Sequence, residues 1–392
     1  MAMRPESFPS IICGGWRGEG LDTAGGLRES GGVPAPKQFA GASLSSPRGR
    51  GAAGNPPNRF EPISLERDAE WNPEEDPAPR TRFLRDLSRT VINYNDSPDV
   101  PFHASLNPYR GCEHGCAYCY ARPTHEYLGF SAGLDFETKI MVKENAPELL
   151  RRELSSPKWK PQTLAMSGVT DCYQPIERRL QLTRKCLAVL AEFRNPVSLI
   201  TKNFLVTRDM DLLRELAAHH AVTVHLSINS LDAELARKLE PRAASPKMRL
   251  AAVEALAKAG VPVGVLVAPV IPALNDHEIP SVLAAAKAAG AGWADAEILR
   301  LPLTVAPIFE EWLERNVPGK KEKVLNRIRA MRGGKLNDPR FGARMRGEGI
   351  FADQISQMFH VALRKSALAE GGPELSTAAF RRPEGSQLGL RL

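Results

Sequence analysis

Six short runs of apolar and β-branched residues, at 104–108, 163–167, 197–201, 222–228, 263–267 and 297–301, alternate with longer stretches of helical period. Those stretches cover 146–154, 177–193, 209–219, 247–259 and 277–289. Each repeats apolar residues at three- and four-residue steps, as Leu212, Leu213 and Leu216 do. Asp209 stands where an N-terminal cap belongs, and Gly260 and Gly290 follow the last two stretches as stops. Two strands lie parallel only if the chain crosses back between them, and a helix is the usual crossover. The pattern therefore predicts an α/β fold, a partial (β/α)6 barrel, with an open doubly wound sheet as the alternative. Neither a Gly-rich dinucleotide fingerprint nor a phosphate loop follows the first strand. In both architectures the functional groups gather at the C-terminal ends of the strands.

The flanks read differently. Residues 1–60 are rich in Gly and Pro without a hydrophobic period, the composition of a disordered arm. Residues 61–99 form a charged, Pro-dotted extension with one short helix expected near 82–89. The core spans 100–305, a basic helical C-terminal extension spans 306–370, and 371–392 reads as a disordered tail. The longest apolar run, 261–274, holds three prolines and is too short to cross a bilayer. No basic-then-apolar leader pattern opens the chain, so the expected location is the cytoplasm, with no membrane partner. Net charge is +7, yet residues 315–346 alone carry eleven Lys and Arg against two acids. That block reads either as a surface for a polyanion or as a solvated helix and loop.

The chemistry concentrates in Gly111-Cys112-Glu113-His114-Gly115-Cys116-Ala117-Tyr118-Cys119-Tyr120, directly after the first strand. Three thiols in eight residues cannot all pair as disulfides, and thiolates packed this closely are metal ligands. Zinc would need a fourth ligand, for which His114 is the near choice. An iron–sulfur cubane takes three thiolates from one loop and leaves one iron open, which suits the ligand count better.

Cys-x3-Cys-x2-Cys with Tyr118 before the third cysteine resembles the signature of radical S-adenosylmethionine (SAM) enzymes. Further words sharpen the resemblance: Asn107-Pro108-Tyr109-Arg110, Ser167-Gly168-Val169-Thr170-Asp171, Thr201-Lys202, Ser227-Ile228-Asn229 and Ala268-Pro269-Val270-Ile271-Pro272. Together they resemble the spore-photolyase-like (DNA repair photolyase-like) branch over residues 91–303.

The resemblance implies a 4Fe-4S cluster on Cys112, Cys116 and Cys119, with the amino and carboxylate groups of SAM on the open iron. It implies reductive cleavage of SAM to a 5′-deoxyadenosyl radical that takes hydrogen from a substrate. Tyr118 would pack near the adenine, Thr170 and Asp171 would accept the SAM ammonium, and Lys202 would face its carboxylate. Ser227 and Asn229 would reach carboxylate or ribose, unless they are plain turn residues. Ala268 would offer backbone groups to the adenine, and Arg300 is a candidate for substrate. Cys172, beside Asp171, is the candidate hydrogen donor, against the ordinary role of a buried small hydrophobe. The implied partners are an electron donor such as flavodoxin or ferredoxin and a nucleic acid carrying a lesion; the oligomeric state is not legible. The competing class is a metal-stabilised nucleic-acid-binding protein, or an electron carrier. Both leave the six βα units and the polar strand ends without a task.

Overall fold

The computed structural model describes residues 47–61 and 79–383. Six parallel strands form its centre: β1 (Ala104–Leu106), β2 (Leu164–Met166), β3 (Val197–Thr201), β4 (Val222–Ser227), β5 (Val263–Val270) and β6 (Trp293–Ile298). They lie in chain order, each beside its predecessor. A doubly wound sheet would reverse its order at a switch point. Here no reversal occurs, so the helices cover one face and the other face becomes a lumen. The edges carry two further strands, Ile92–Tyr94 antiparallel on β1 and Ala369–Glu370 parallel on β6.

The crossovers are α1 (Ala146–Ser155), α2 (Leu182–Phe193), α3 (Met210–Ala217), α4 (Pro246–Lys258) and α5 (Ile279–Ala288). Side chains alternate across each strand. Met166, Leu199, Val224 and Val265 meet Leu187, Leu213, Val253 and Leu283 of the helices in the main core. The opposite set, including Ala165, Ile200, Leu266 and Ala268, faces the lumen and packs with Phe102, Tyr120 and Met345. At the N-terminal end the Trp293 indole lies across Gly264, where a Cβ would sit 2.2 Å from its Nε1. That Nε1 donates to His225 Nε2 at 2.9 Å, and the group forms a floor.

Several expectations shift. The stretch 177–193 is two helices, Glu177–Leu180 and α2, broken at Gln181 with φ of 52°. The buried Glu177 carboxylate causes the break by accepting Thr183 N at 3.1 Å at the start of α2, where an anion favours a helix N-terminus. Strand β6 begins at Trp293, four residues before the expected 297. Its alternation of Trp293, Asp295 and Glu297 with Ala294 and Ala296 was masked by acids that face inward. Leu299 and Leu301 instead pack with Phe309 and Trp312 of α6 (Val305–Asn316).

The expected helix near 82–89 is a strand, Arg82–Arg85, parallel to Lys139–Val142, which also pairs antiparallel with Tyr109–Arg110. Residues 47–61 are ordered against the body: Gly51 and Ala52 are buried and their N–H groups donate to Glu137. Residues 371–383 also pack, with Ser376 N on His220 O and Arg381 N on Phe193 O, both at 2.9 Å. Residues 1–46 and 384–392, the remainder of the expected arm and tail, lie outside the described residues. The C-terminal extension is helical as expected, with α7 (Lys321–Met331) and α8 (Ile350–Lys365) its longest later helices. No helix among the described residues is long and apolar enough to cross a membrane.

Candidate active site at the mouth of the barrel

The cysteine loop leaves β1 through Gly111, whose φ of 79° suits glycine, and Cys112 N bonds to Phe136 O at 2.9 Å. Arg122, fully buried, threads the loop. Its Nε and one terminal nitrogen donate to Cys116 O at 3.0 and 2.8 Å, and it also donates to Ala132 O, Gly133 O and Glu137. Ala117 N donates to Leu239 O at 3.0 Å. Glu113 takes Ile176 N at 2.8 Å and pairs with Arg242 at 3.1 Å. The rest of the loop is thus committed to holding its shape.

The three thiols are free of disulfides. They stand close enough that Cys116 feels the charge of Cys119 and Cys112. Burial pushes Cys116 well above the ordinary thiol range and Cys119 up to about 11. Among the described residues no three His, Cys, Asp or Glu side chains converge where a single ion could be held.

His114 is not the fourth ligand, because both of its ring nitrogens are engaged. Nδ1 lies 3.3 Å from Asp171 and Nε2 lies 3.4 Å from Asn203 Nδ2. The Asn203 amide is oriented by Leu205 N, which donates to its oxygen at 3.0 Å, so its NH2 faces the histidine. Burial opposes the His114 charge, but Asp171 and then Cys112 push its pKa up to about 10, so Nδ1 holds a proton toward Asp171.

Asp171 is saturated as well. It accepts Tyr173 N, Thr201 Oγ1 and Lys202 N, each at 2.8 Å, besides His114. Burial opposes its charge, but His114 and these donors hold its carboxyl below the usual range. The expected acceptor of the SAM ammonium is instead a clasp joining the ends of β2 and β3 to the cysteine loop. Thr170 is used likewise, donating to Tyr109 O at 2.7 Å. Cys172 has no exposure and lies in the main core, with its N–H on Ser167 Oγ at 2.7 Å. It packs with the helix-side core rather than with the lumen residues.

Other expected residues remain available. Ser227 and Asn229 are 1% exposed, and neither the Ser227 hydroxyl nor the Asn229 amide has a partner. Their carbonyls are anchored by Arg249 and Asn275, which leaves the side chains uncommitted at the end of β4. A buried polar atom without a partner costs about 1–3 kcal/mol, so such a set points to a ligand or water. The Lys202 ammonium makes no hydrogen bond or ion pair among the described residues, and faces the charge of Glu240 and Cys116. Ala268 is 7% exposed on the lumen face of β5. Tyr118 donates its hydroxyl to buried Glu240, which also takes Arg249. Burial works against the Glu240 charge, but Arg249 and Lys202 keep it ionised.

Sequence reasoning missed Glu240, Arg249, Arg122 and Glu137, which occur in ordinary helix-like contexts without a motif. Tyr120 was visible in the cysteine loop itself. Its hydroxyl donates to Gly168 O at 2.6 Å, and Arg300 lies 4.9 Å over its ring. The basic block is largely spent within the fold. Arg327 pairs with Asp276, Arg344 with Asp99 and Lys321 with Glu314. Arg332 is 2% exposed and donates to Leu299 O and Arg344 O.

The radical SAM family model matches residues 106–286, which bracket the cysteine loop and strands β2 to β5. The chain belongs to the radical SAM superfamily. Its cofactors are those of the family, a 4Fe-4S cluster and S-adenosylmethionine. An uncharacterized protein of Mycobacterium tuberculosis is 38% identical over 239 residues, 60% of this chain and 70% of that protein. An uncharacterized protein of Methanocaldococcus jannaschii is 31% identical over 248 residues, 63% of this chain and 88% of that one. Among solved structures, spore photoproduct lyase complexed with dinucleoside spore photoproduct shares the fold. Its TM-score is 0.53 at 17% identity, over 72% of this chain and 79% of that one. The radical SAM fold thus accounts for the sequential strand order and for a cysteine loop set at the mouth.

Proposed function

We propose that this radical SAM protein cleaves S-adenosylmethionine reductively and uses the resulting radical on a nucleic-acid lesion. Bound here, the cluster and SAM would supply a one-electron cleavage of the sulfonium that yields a 5′-deoxyadenosyl radical. The observation that carries the reading is the uncommitted set. Three thiols lie on a loop whose polar side chains are otherwise engaged, Lys202 feels the charge of Cys116, and among the described residues its ammonium and the side chains of Ser227 and Asn229 have no hydrogen-bond partner.

In this reading Cys112, Cys116 and Cys119 hold the cluster. Lys202 meets the SAM carboxylate, and Ser227 and Asn229 take its polar edge. The clasp of Asp171 and His114 fixes the loop against β2 and β3. Phe102, Ala165, Ile200, Leu266 and Ala268 line an apolar lumen that excludes water from a reactive species.

A nucleic-acid substrate is supported by the fold shared with spore photoproduct lyase and by Arg300 stacked on Tyr120 near that lumen. The basic block does not add to it, since its arginines are mostly paired. A metal-stabilised binding protein would leave the unpartnered lumen groups without purpose.

The test is anaerobic reconstitution, reduction with dithionite and chromatography for 5′-deoxyadenosine. Deuterium transfer from lesion-bearing oligonucleotides into that product identifies the substrate. A fully loaded, reduced protein that leaves SAM intact would overturn the enzymatic reading. Cleavage of SAM without transfer from any oligonucleotide would remove the nucleic acid.

A further inference from the structure

A cleft of about 550 Å³ opens on the outer side of the cysteine loop. Arg48, Arg50, Arg80, Arg179 and Arg242 line it, with Glu113 as its acid. We propose that this cleft docks an acidic one-electron carrier protein that reduces the cluster. The proposal rests on the reading that the three thiols hold a redox cluster.

Two of the arginines build the walls. Arg242 pairs with Glu113 at 3.1 Å, and Arg50 donates to Pro79 O, Thr81 Oγ1 and Glu137 O. The other three, Arg48, Arg80 and Arg179, are exposed and have no acidic partner among the described residues. Three cations with no acidic partner among the described residues, set around one concavity, steer an anionic surface toward it.

The floor is the back of the cysteine loop. Glu113 adjoins Cys112, and Arg242 N donates to His114 O at 3.2 Å. Gly51, next to Arg50, packs so tightly on Gly115 that a Cβ would lie 1.9 Å from its carbonyl oxygen. A carrier seated here abuts Glu113, the residue after Cys112.

The cleft is separate from the lumen. None of its lining residues belongs to β1–β6, and none of Ser227, Asn229, Ala268 or Tyr120 lines it. A substrate has to reach the lumen, so the cleft does not serve it. An electron donor has only to approach the cluster. The step is a single electron: the carrier's reduced flavin or iron–sulfur group is oxidised by one, the cluster is reduced by one, and no bond or proton moves.

The test compares the full chain, cluster-loaded, with the Arg48→Glu/Arg80→Glu/Arg179→Glu variant. Flavodoxin affinity is measured by calorimetry at ~50 mM and ~300 mM salt, on either side of strong screening. Cluster reduction by flavodoxin hydroquinone is followed by stopped flow, with dithionite, a small reductant that needs no docking surface, as the control. The variant is expected to bind flavodoxin about tenfold more weakly at low salt, with a flattened salt dependence. Reduction by flavodoxin slows similarly, while reduction by dithionite is unchanged.

Equal flavodoxin affinity in the two proteins overturns the proposal. So does a loss confined to duplex DNA binding, which would make the cleft a nucleic-acid site. A change in thermal stability with carrier binding intact would give the arginines a structural role, and overturns it too. Affinity is read without turnover, so a wild-type protein that fails to cleave SAM refutes the proposed function, while the binding comparison still decides the cleft.

Discussion

The guanidinium of Arg122 donates to the carboxylate of Glu137 at 2.5 Å, and neither side chain is exposed to solvent. This pair carries the cysteine loop, through Cys116 O, and the N-terminal segment, through Gly51 N and Ala52 N, on one hub. Removing one partner of a buried pair leaves an uncompensated charge and costs about 3–5 kcal/mol. Glu137→Ala is therefore expected to lower the melting temperature markedly and to reduce iron content after reconstitution. Arg122→Ala is expected to do the same. Calorimetry and iron analysis check both.

The thiols separate by role. Cys112→Ala, Cys116→Ala and Cys119→Ala are each expected to abolish the visible absorbance of the cluster while the circular dichroism of the fold stays the same. Cys172→Ala, in the core, is expected to retain the cluster and SAM cleavage, with a stability loss of about 1 kcal/mol from the vacated volume. Loss of SAM cleavage with an intact cluster in Cys172→Ala would contradict the core placement.

Ser227 and Asn229 make an unusual demand, because their unpartnered groups weaken the empty protein. Ser227→Ala and Asn229→Ala are expected to hold or raise its melting temperature and to weaken SAM binding by roughly 10- to 100-fold, the equivalent of one or two lost hydrogen bonds. Equilibrium dialysis and thermal denaturation on the same samples read both effects. A fall in stability with unchanged SAM affinity would make them structural.

Asp295 faces the lumen from β6, with both carboxylate oxygens unpartnered. Burial, then Glu370 and Glu297, pushes its carboxyl up to about 7. A folded value above the unfolded one means the native state binds the extra proton between about pH 4 and pH 7. The associated stability is full below the unfolded value and is lost as pH rises through about 7, a swing on the order of 4 kcal/mol. Asp295→Asn is expected to be more stable than the wild type above neutrality, and the gap should close toward pH ~5. Melting curves across that window decide it.

Arg332 bonds backbone oxygens inside the fold, with burial, then Arg300, lowering its pKa to about 10. Arg332→Ala is expected to destabilise the protein by about 1–3 kcal/mol and to leave any affinity for DNA unchanged. Filter binding at matched folded fraction, beside a denaturant titration, tests this.

The barrel and the cysteine triplet were legible because they rest on short-range pattern. Val197–Thr201 and Pro246–Lys258 advertise their period, and the cysteine triplet lies within eight residues. What was hidden depends on contacts across the chain. Asp171 has the chemistry of a ligand, and only its four donors show that it has none to spare. The break at Gln181 follows from Glu177 turning its carboxylate onto the next helix, which a periodic reading cannot see. Strand β6 was displaced because Asp295 and Glu297 look like solvent-facing acids until the lumen is known to hold them. Residues 47–61 have the composition of a loose arm, yet two backbone N–H groups on Glu137 and the side chains of Asn55, Asn58 and Arg59 seat them.

The indole of Trp293 across Gly264 fills the N-terminal end of the lumen and bars passage through it. Whatever reacts inside must come and leave without crossing that end. Turnover in such a vessel is governed as much by departure as by chemistry, and widening the floor would let bulk solvent in from below.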